Sequence, residues 1–432
     1  MIDRFREGVY QSFSQRADAG MELIDALTSA QQVESPVAMS ESPLFRRSFS
    51  SVYDVLNEGR LDLEAVRQVL DECQPADAEP IGGYEVYALD CTDDPAAAAP
   101  TFPDRTQAKK GRHAPTVVGH RYSWLVRLVA RGSSWVMPQD IERVASSSSD
   151  SQVGAAQVQA LAQRNARPKV VVADALYGNA LFLQLFVTVQ FVYALVRLRR
   201  NQLFYEAPPE RTLGQKGRPR KHGRKFKLSA PWRAPDREEI CCLLGQTVRL
   251  SAWEGLHLYK LPALVGMVLC VQFLKADGTP RFARPLLLFW TGPTSVGLAD
   301  LAQMYLWRFA VEHLFRFLKQ HLGLTSAASP DLAHRQRWLW CCALAYCQLL
   351  LLRPHVADKR PPWQPQRTQS QARPMTPRQV QRQALPFLLT LGTPARAPQP
   401  AGKGRGRAPG FQPALRPRHP IVKKGKKRRK AA

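Results

Sequence analysis

Residues 169–174 read KVVVAD, a short apolar run entered from a lysine and closed by an acid. Consecutive valines read as a strand, because a side chain branched at Cβ is stiff and suits a pleated backbone. The neighbouring sequence extends the pattern. YEVYAL (84–89) is strand-like and ends at Asp90, while HRYSWLVRLVA (120–130) and GSSWVM (132–137) form a hairpin pair. Residues 138–165 hold a helix interrupted by the serine run 146–149, residues 178–189 fit a helix, and FVYALVRL (191–198) fits a further strand. Strand, hairpin, helix, strand, helix, strand is the order of an α/β fold with a mixed sheet flanked by helices.

The rest of the chain divides around this block. Residues 1–80 are a helical N-terminal region, with apolar residues at helical spacing over 20–32 and 44–73 and a turn at Asn57-Glu58-Gly59. Such helices could read DNA or form a plain bundle. Residues 81–200 form the first part of the α/β core, with a Pro/Ala-rich and then basic loop over 94–115. Residues 201–294 are a basic loop followed by β-rich sequence, with a hairpin at Asp277-Gly278. Residues 295–352 add helices over 295–322 and 332–352. From 353 to 432 Pro, Gln, Arg and Lys dominate, with one apolar island at 385–391, and the expectation is a mostly disordered basic tail.

Charge narrows the partners. Lysine and arginine number 61 against 35 acids, a formal charge of +26, and residues 401–432 contain no acid. Basic residues also gather at RLRR (197–200) and KGRPRKHGRKFK (216–227). Such a field attracts polyanions, of which nucleic acid is the commonest. Arg218, Arg220, Lys221 and Arg224 are therefore DNA-binding candidates, the alternative being a solvated loop. The eight cysteines form no C-x-x-C pair, which excludes zinc-ligand spacing and a small disulfide scaffold. Reduced thiols fit a cytoplasmic protein. MIDRFREGVY is no signal peptide, and the apolar runs 180–196, 261–274 and 338–352 fall short of the roughly 20 residues of a spanning helix, so no membrane role is expected. No P-loop pattern occurs, so no nucleotide cofactor is expected.

Three acids could carry chemistry. Asp90 and Asp174 close apolar strands, where a carboxylate can face a ligand crevice, although a strand-ending Asp is also a common helix cap. Glu312 lies within YLWRFAVEHLFRFLKQ (305–320), taken as one amphipathic helix with Tyr305, Arg308, Glu312 and Lys319 on one stripe. Leu306, Ala310, Val311, Leu314, Phe317 and Leu318 occupy its opposite side. A solvated face with an Arg308–Glu312 pair is the plain alternative. Converging carboxylates repel one another unless a divalent cation neutralises them, and oxygen-only ligation suits Mg²⁺ or Mn²⁺. Two such ions serve phosphoryl transfer. Asp93 and Asp94 fall past the strand as turn residues, Asp300 near a helix start, and Glu254 at a turn or strand end. His120 and His257 lie in strand-like sequence without partner histidines.

Tyr305, Arg308, Glu312 and Lys319 reproduce Y-x2-R-x3-E-x6-K. With Asp90 and the Asp174-to-Tyr177 D-x-x-Y step, the stretch 81–352 resembles DDE transposases of bacterial insertion sequences. Members often have glycine between that Asp and Tyr; Ala175 and Leu176 stand there here. The resemblance implies an RNase H-like fold with a β-rich insertion between the second Asp and the Glu. It implies two metal ions held by Asp90, Asp174 and Glu312, with Tyr305, Arg308 and Lys319 on DNA phosphates. It further implies cutting at terminal inverted repeats, joining of the 3′-hydroxyl to target double-stranded DNA, and a homodimer in the bacterial cytoplasm. Relatives use an insertion aromatic to stack on a base; for Trp253 and Trp290 core packing is the stronger expectation. The rivals are a nuclease without strand transfer and a catalytically decayed basic DNA-binding protein.

Overall fold

A computed structural model describes residues 1–109, 115–130, 132–210, 217–356, 363, 375–400, 406, 408–412 and 414–424. Parts of the acid-free stretch 401–432, including 425–432, and Lys216 of the basic loop lie outside the described residues. Twelve strands form one mixed sheet: β1 (Glu85–Pro95), β2 (Thr106–Lys109), β3 (Thr116–Leu128), β4 (Val136–Arg143), β5 (Lys169–Ala173), β6 (Val192–Arg197), β7 (Leu203–Tyr205), β8 (Lys225–Lys227), β9 (Arg237–Leu243), β10 (Gln246–Leu258), β11 (Leu261–Phe273) and β12 (Leu286–Trp290). The spatial order is β8-β7-β10-β11-β12-β6-β5-β1-β3-β2, with β9 on β10 and β4 on β3. β1 runs parallel to β5 and antiparallel to β3, and β5 runs parallel to β6, so the expected mixed α/β sheet is present.

The KVVVA strand sits between two parallel neighbours and is wholly buried, which is why it tolerates no polar alternation. Even Lys169 is buried; its ammonium is satisfied by Asn165 O at 2.8 Å, Asn165 Oδ1 at 2.7 Å and Arg167 O at 2.9 Å. Helix α5 (Asp150–Arg164) packs on β3 and β4. The serine run does not break it. The run ends in Ser149, its N-cap, whose hydroxyl accepts from Gln152 N while the Gln152 side chain accepts from Ser149 N. The preceding residues to Arg143 belong to β4, where a helix was expected from 138, because they pair with β3.

Three further expectations change, and one is refined. β1 continues past Asp90 to Pro95, since β3 keeps pairing with it as far as Gly119. The expected β-rich insertion is present, and β12 pairs with β6, so its strands prolong the same sheet. The basic segment before it does contribute packing, for Phe226 and Leu228 are buried. The tail holds an ordered helix, α10 (Pro377–Leu391). Thr376 and Gln379 form its capping box, Pro377 occupies its first turn, and Val380, Ala384 and Leu388 recur every four residues on the buried side. The Pro/Gln/Arg composition around it hides that spacing.

Helices α1 (Ile2–Gln11), α2 (Ala17–Ser29), α3 (Phe49–Glu58) and α4 (Leu63–Glu72) form the N-terminal region. They share one apolar core with α9 (Leu332–Leu352) and α10. Within it Arg6 meets Asp25 at 2.7 Å, and Gln348 Nε2 donates to Asp25 Oδ1 at 2.8 Å. Among the described residues no helix is long and apolar enough to cross a membrane.

Candidate active site

The register of two strands places the first acids. β1 and β5 pair in parallel through Leu89 and Ala173, and the next residue on each is Asp90 and Asp174. The two carboxylates thus leave the sheet side by side where β5 ends and β1 continues. Asp174 Oδ1 accepts from Leu176 N at 2.8 Å, and Tyr177 N donates to Asp174 O at 3.1 Å. This turn forms without glycine because Leu176 points outward and Tyr177 is buried under the sheet, 3.3 Å from Cys91 Sγ.

The third acid arrives on a helix pair. Sequence 305–320 is not one helix: α7 (Leu298–Trp307) and α8 (Ala310–Gln320) meet at Arg308-Phe309. The junction is tightened by three-residue bonds, Arg308 N to Tyr305 O at 3.1 Å and Glu312 N to Phe309 O at 3.1 Å. The break turns Tyr305 away from the open stripe and buries it, beside the Arg308 guanidinium. α8 keeps the expected apolar side. Val311, Leu314 and Leu318 are fully buried, and Phe315 meets Trp124 of β3 edge-on at 5.7 Å. At about 1.5–3 kcal/mol per side chain, the three aliphatic residues alone contribute on the order of 5–9 kcal/mol to seating this helix. Glu312 lies exposed in its first turn, where the helix dipole favours a carboxylate, and Lys319 lies in its last.

Asp90, Asp174, Glu312 and Lys319 line one cleft of about 580 Å³ together with Arg121, Arg316 and Phe315. Arg308 reaches it from the junction: its guanidinium donates to Asp90 Oδ2 at 2.8 Å, and Cys91 N donates to Asp90 Oδ1 at 2.8 Å. Arg308 therefore pairs with Asp90, not with Glu312 of α8. Burial pushes the Asp90 carboxyl above its ordinary range, with the Asp174 charge adding to the rise and Arg308 opposing it. Lys319 Nζ donates to Asp93 O at 3.0 Å.

Two cleft cations were missed in the sequence. Arg316 comes four residues after Glu312 and is exposed, so the same stripe arithmetic would have found it. Arg121 gave no local signal. It holds Asp93 Oδ1 and Asp150 Oδ1, each at 3.0 Å, and its place is set by pairing of β1 with β3. Asp93 and Asp94 are consequently strand residues, not turn residues. Both are buried, and Asp94 forms an ion pair with Arg335, whose guanidinium lies 4.2 Å from the Phe102 ring centre.

The remaining candidates lie elsewhere. Arg218, Arg220, Lys221 and Arg224 are exposed on the connection between β7 and β8, with Arg224 stacked 3.7 Å from the Trp232 ring centre. Trp253 and Trp290 are buried and donate to Arg233 O and Pro293 O, as core tryptophans do. Glu254 lies inside β10 beside a bulge, not at a strand end. His257 does have a histidine partner: His222 Nδ1 lies 3.0 Å from its Nε2.

Among the described residues no three His, Cys, Asp or Glu side chains are close enough together to enclose one ion. The three carboxylates share a cleft, not a cage. Their chemistry nonetheless suits hard divalent cations: every donor is an oxygen, and the half-buried Asp90 already draws a positive partner. Asp90 with Asp174, completed by Glu312, are the residues that would hold Mg²⁺ or Mn²⁺.

No curated protein matches the chain. Among solved structures, a piggyBac transposase synaptic complex with hairpin DNA aligns at a TM-score of 0.41 and 10% identity, covering 87% of this chain and 72% of that one. The family model of DDE superfamily endonucleases matches residues 8–258, more than half of the chain and including both Asp90 and Asp174. The chain belongs to the DDE superfamily endonucleases.

Proposed function

We propose that the protein is the DNA transposase of a bacterial insertion sequence, cutting the element ends by metal-assisted phosphodiester hydrolysis and joining the freed 3′-hydroxyl to target DNA. The observation that carries this reading is the joint placement of Asp90, Asp174 and Glu312 in one cleft rimmed by Arg121, Arg316 and Lys319. Acids and bases together suit a phosphodiester, which brings negative charge to a site that must also bind cations. Asp90 and Asp174 would hold the ions, with Glu312 completing one position. When bound, the ions supply an activated oxygen nucleophile and stabilise the leaving oxygen. Arg308 positions the Asp90 carboxylate, through a charge-assisted bond at the half-buried base of the cleft. Arg316 and Lys319 face the substrate strand from α8, and the exposed cations of the β7–β8 connection contact phosphates farther along the duplex. Two ends must be processed together, which calls for a homodimer on DNA.

The test is incubation of the purified protein with Mg²⁺ and DNA carrying the inverted repeats that flank its gene. Cleavage with strand joining supports transposition, whereas cleavage without joining supports a nuclease. Binding without cleavage would overturn the catalytic reading. Asp90→Asn, Asp174→Asn and Glu312→Gln should each lose cleavage by at least about 10²-fold while keeping DNA affinity. Full activity in any one of them would remove that residue from the catalytic set.

A further inference from the structure

Three neighbouring parallel strands come level beside the cleft. β1 and β5 pair through Leu89 and Ala173, and β5 and β6 pair in turn through Ala173 and Val196. The next residues are Asp90, Asp174 and Arg197. Successive side chains on a strand point to opposite faces of the sheet. Leu89, Ala173 and Val196 belong to one apolar core. Ala88, Val172 and Leu195 belong to the other, which includes Tyr305 of α7 and Val311 of α8. Asp90, Asp174 and Arg197 therefore stand on the face covered by α7 and α8, in a row spaced by about 4.8 Å. Ligands of such sheets gather outside the carboxyl ends of parallel strands. The row of two acids has a third member there, and it is a cation.

The backbone of Arg197 is fixed while its side chain is not engaged. β12 pairs with it through Leu288, and Leu198 N donates to Leu287 O at 2.8 Å. Leu198 is buried, and Arg199 and Arg200 lie in the connection to β7, so of the RLRR run only Arg197 is held by the sheet. Its side chain is exposed and makes no ion pair among the described residues. The buried Tyr305 has Arg308, Arg197 and Asp174 as electrostatic neighbours, which sets Arg197 beside the base of the cleft. Arg308 covers the Asp90 end of the row at 2.8 Å, and Arg197 closes the Asp174 end. Most exposed arginines are solvated surface charges. This one stands one strand from a carboxylate with which it does not pair, on the side toward the cations of the β7–β8 connection. A guanidinium so placed keeps its donors for an incoming anion and can hold a phosphate bidentately.

We propose that Arg197 binds the DNA phosphate next to the one at the acids, on the side of the cleft that leads to the β7–β8 connection. This inference rests on the reading of the cleft as a DNA site. Arg308 and Arg197 then have separate duties at the two ends of one row: the first holds a carboxylate, the second holds the substrate. Because Arg197 belongs to a central strand, its contact is as fixed as those of the acids beside it.

The test uses the full chain and a duplex carrying the inverted repeat that flanks its gene, with affinity measured over a range of salt and without divalent metal. Arg197→Gln should weaken binding and flatten the salt slope by about 0.9, the loss of one neutralised phosphate. Arg197→Lys keeps the charge and should keep the native slope. A native slope in Arg197→Gln overturns the proposal. A Lys variant as flat as the Gln variant also overturns it, because the loss would then come from a disturbed site and not from a missing charge. Mn²⁺ binding without DNA, followed by electron paramagnetic resonance, separates the rival role. If Arg197→Gln changes Mn²⁺ affinity and leaves the salt slope native, Arg197 is a counter-ion of Asp174 and the proposal fails. Because the DNA measurement contains no metal, failure of the cleavage assay leaves this outcome readable, and failure here leaves the cleavage result standing.

Discussion

Asp90 and Asp94 lie four residues apart on β1, and their surroundings assign them opposite duties, which makes Asp94→Ala an informative perturbation. The Asp94 carboxylate and the Arg335 guanidinium are only 6% and 5% exposed and are paired with each other. Arg335 retains one further bond, Nε to Ser329 O at 2.9 Å, and its contact with Phe102. Removing Asp94 therefore leaves a buried cation without its counter-charge, which costs about 3–5 kcal/mol. Burial raises the Asp94 carboxyl above its ordinary range more than Arg335 lowers it. Its ionised form is thus itself held at a cost, and the lower end of that range applies. For a chain of this size, about 3 kcal/mol lowers the melting temperature on the order of 5 °C. Thermal melting followed by circular dichroism reads the stability, and cleavage per folded molecule at a permissive temperature reads the chemistry. Asp94→Ala should melt early and still cut; Asp90→Asn should melt near the native temperature and not cut. In Arg335→Met the orphan is the carboxylate, so the loss should shrink as pH falls and Asp94 takes up a proton. The double variant Asp94→Ala/Arg335→Met should recover much of the single-variant loss. A native melting temperature in Asp94→Ala would refute the assignment of this pair as a buried strut.

Three other perturbations have expected outcomes. Asp25 is raised to about 6 by burial, against an ordinary 3.8. Between those values the unfolded chain has released a proton that the folded chain keeps, so this group makes stability fall as pH rises; the melting temperature of Asp25→Asn relative to the native protein should therefore increase from about pH 4 to about pH 6.5. A Cβ on Gly154 of α5 would stand 2.5 Å from the side chain of Leu89, the residue before Asp90, and 2.8 Å from Tyr177. Gly154→Ala should cost about 1–3 kcal/mol in urea unfolding and reduce cleavage by displacing β1. Replacing Arg218, Arg220, Lys221 and Arg224 by Gln should weaken duplex binding and flatten its salt slope by about 0.9 for each phosphate no longer neutralised, while hydrolysis at saturating DNA is retained.

The parts of this protein that were legible in its sequence are those whose cause is local. KVVVAD declares a buried strand by composition, and the spacing of Val311, Leu314 and Leu318 declares the seated side of α8. The parts that were not legible depend on partners far along the chain. Asp93 and Asp94 read as turn residues because Pro95 comes next, but Arg121 and Arg335, 28 and 241 residues away, draw them inside. The insertion was legible as β-rich sequence, but nothing within β12 announces that it pairs with β6. The Tyr305-to-Lys319 stripe assumed uninterrupted helical geometry, whereas the junction at Arg308-Phe309 buries Tyr305 and sends Arg308 to Asp90. Glu312 and Lys319 reached the cleft because both lie beyond that junction, on a helix that does keep its period.

Pairing of β12 with β6 has a metric consequence. From β5, which ends just before Asp174, to β7, which opens the basic connection, the sheet crosses β6, β12, β11, β10 and β7 in turn. Five strand spacings of about 4.8 Å give a contour of about 24 Å, the length of roughly seven base pairs. Because every step is a hydrogen-bonded ladder and none is a hinge, that interval is a fixed gauge. The distance between the acids of the cleft and the exposed cations Arg218 to Arg224 is set by strand count, and changing it would require adding or removing a strand.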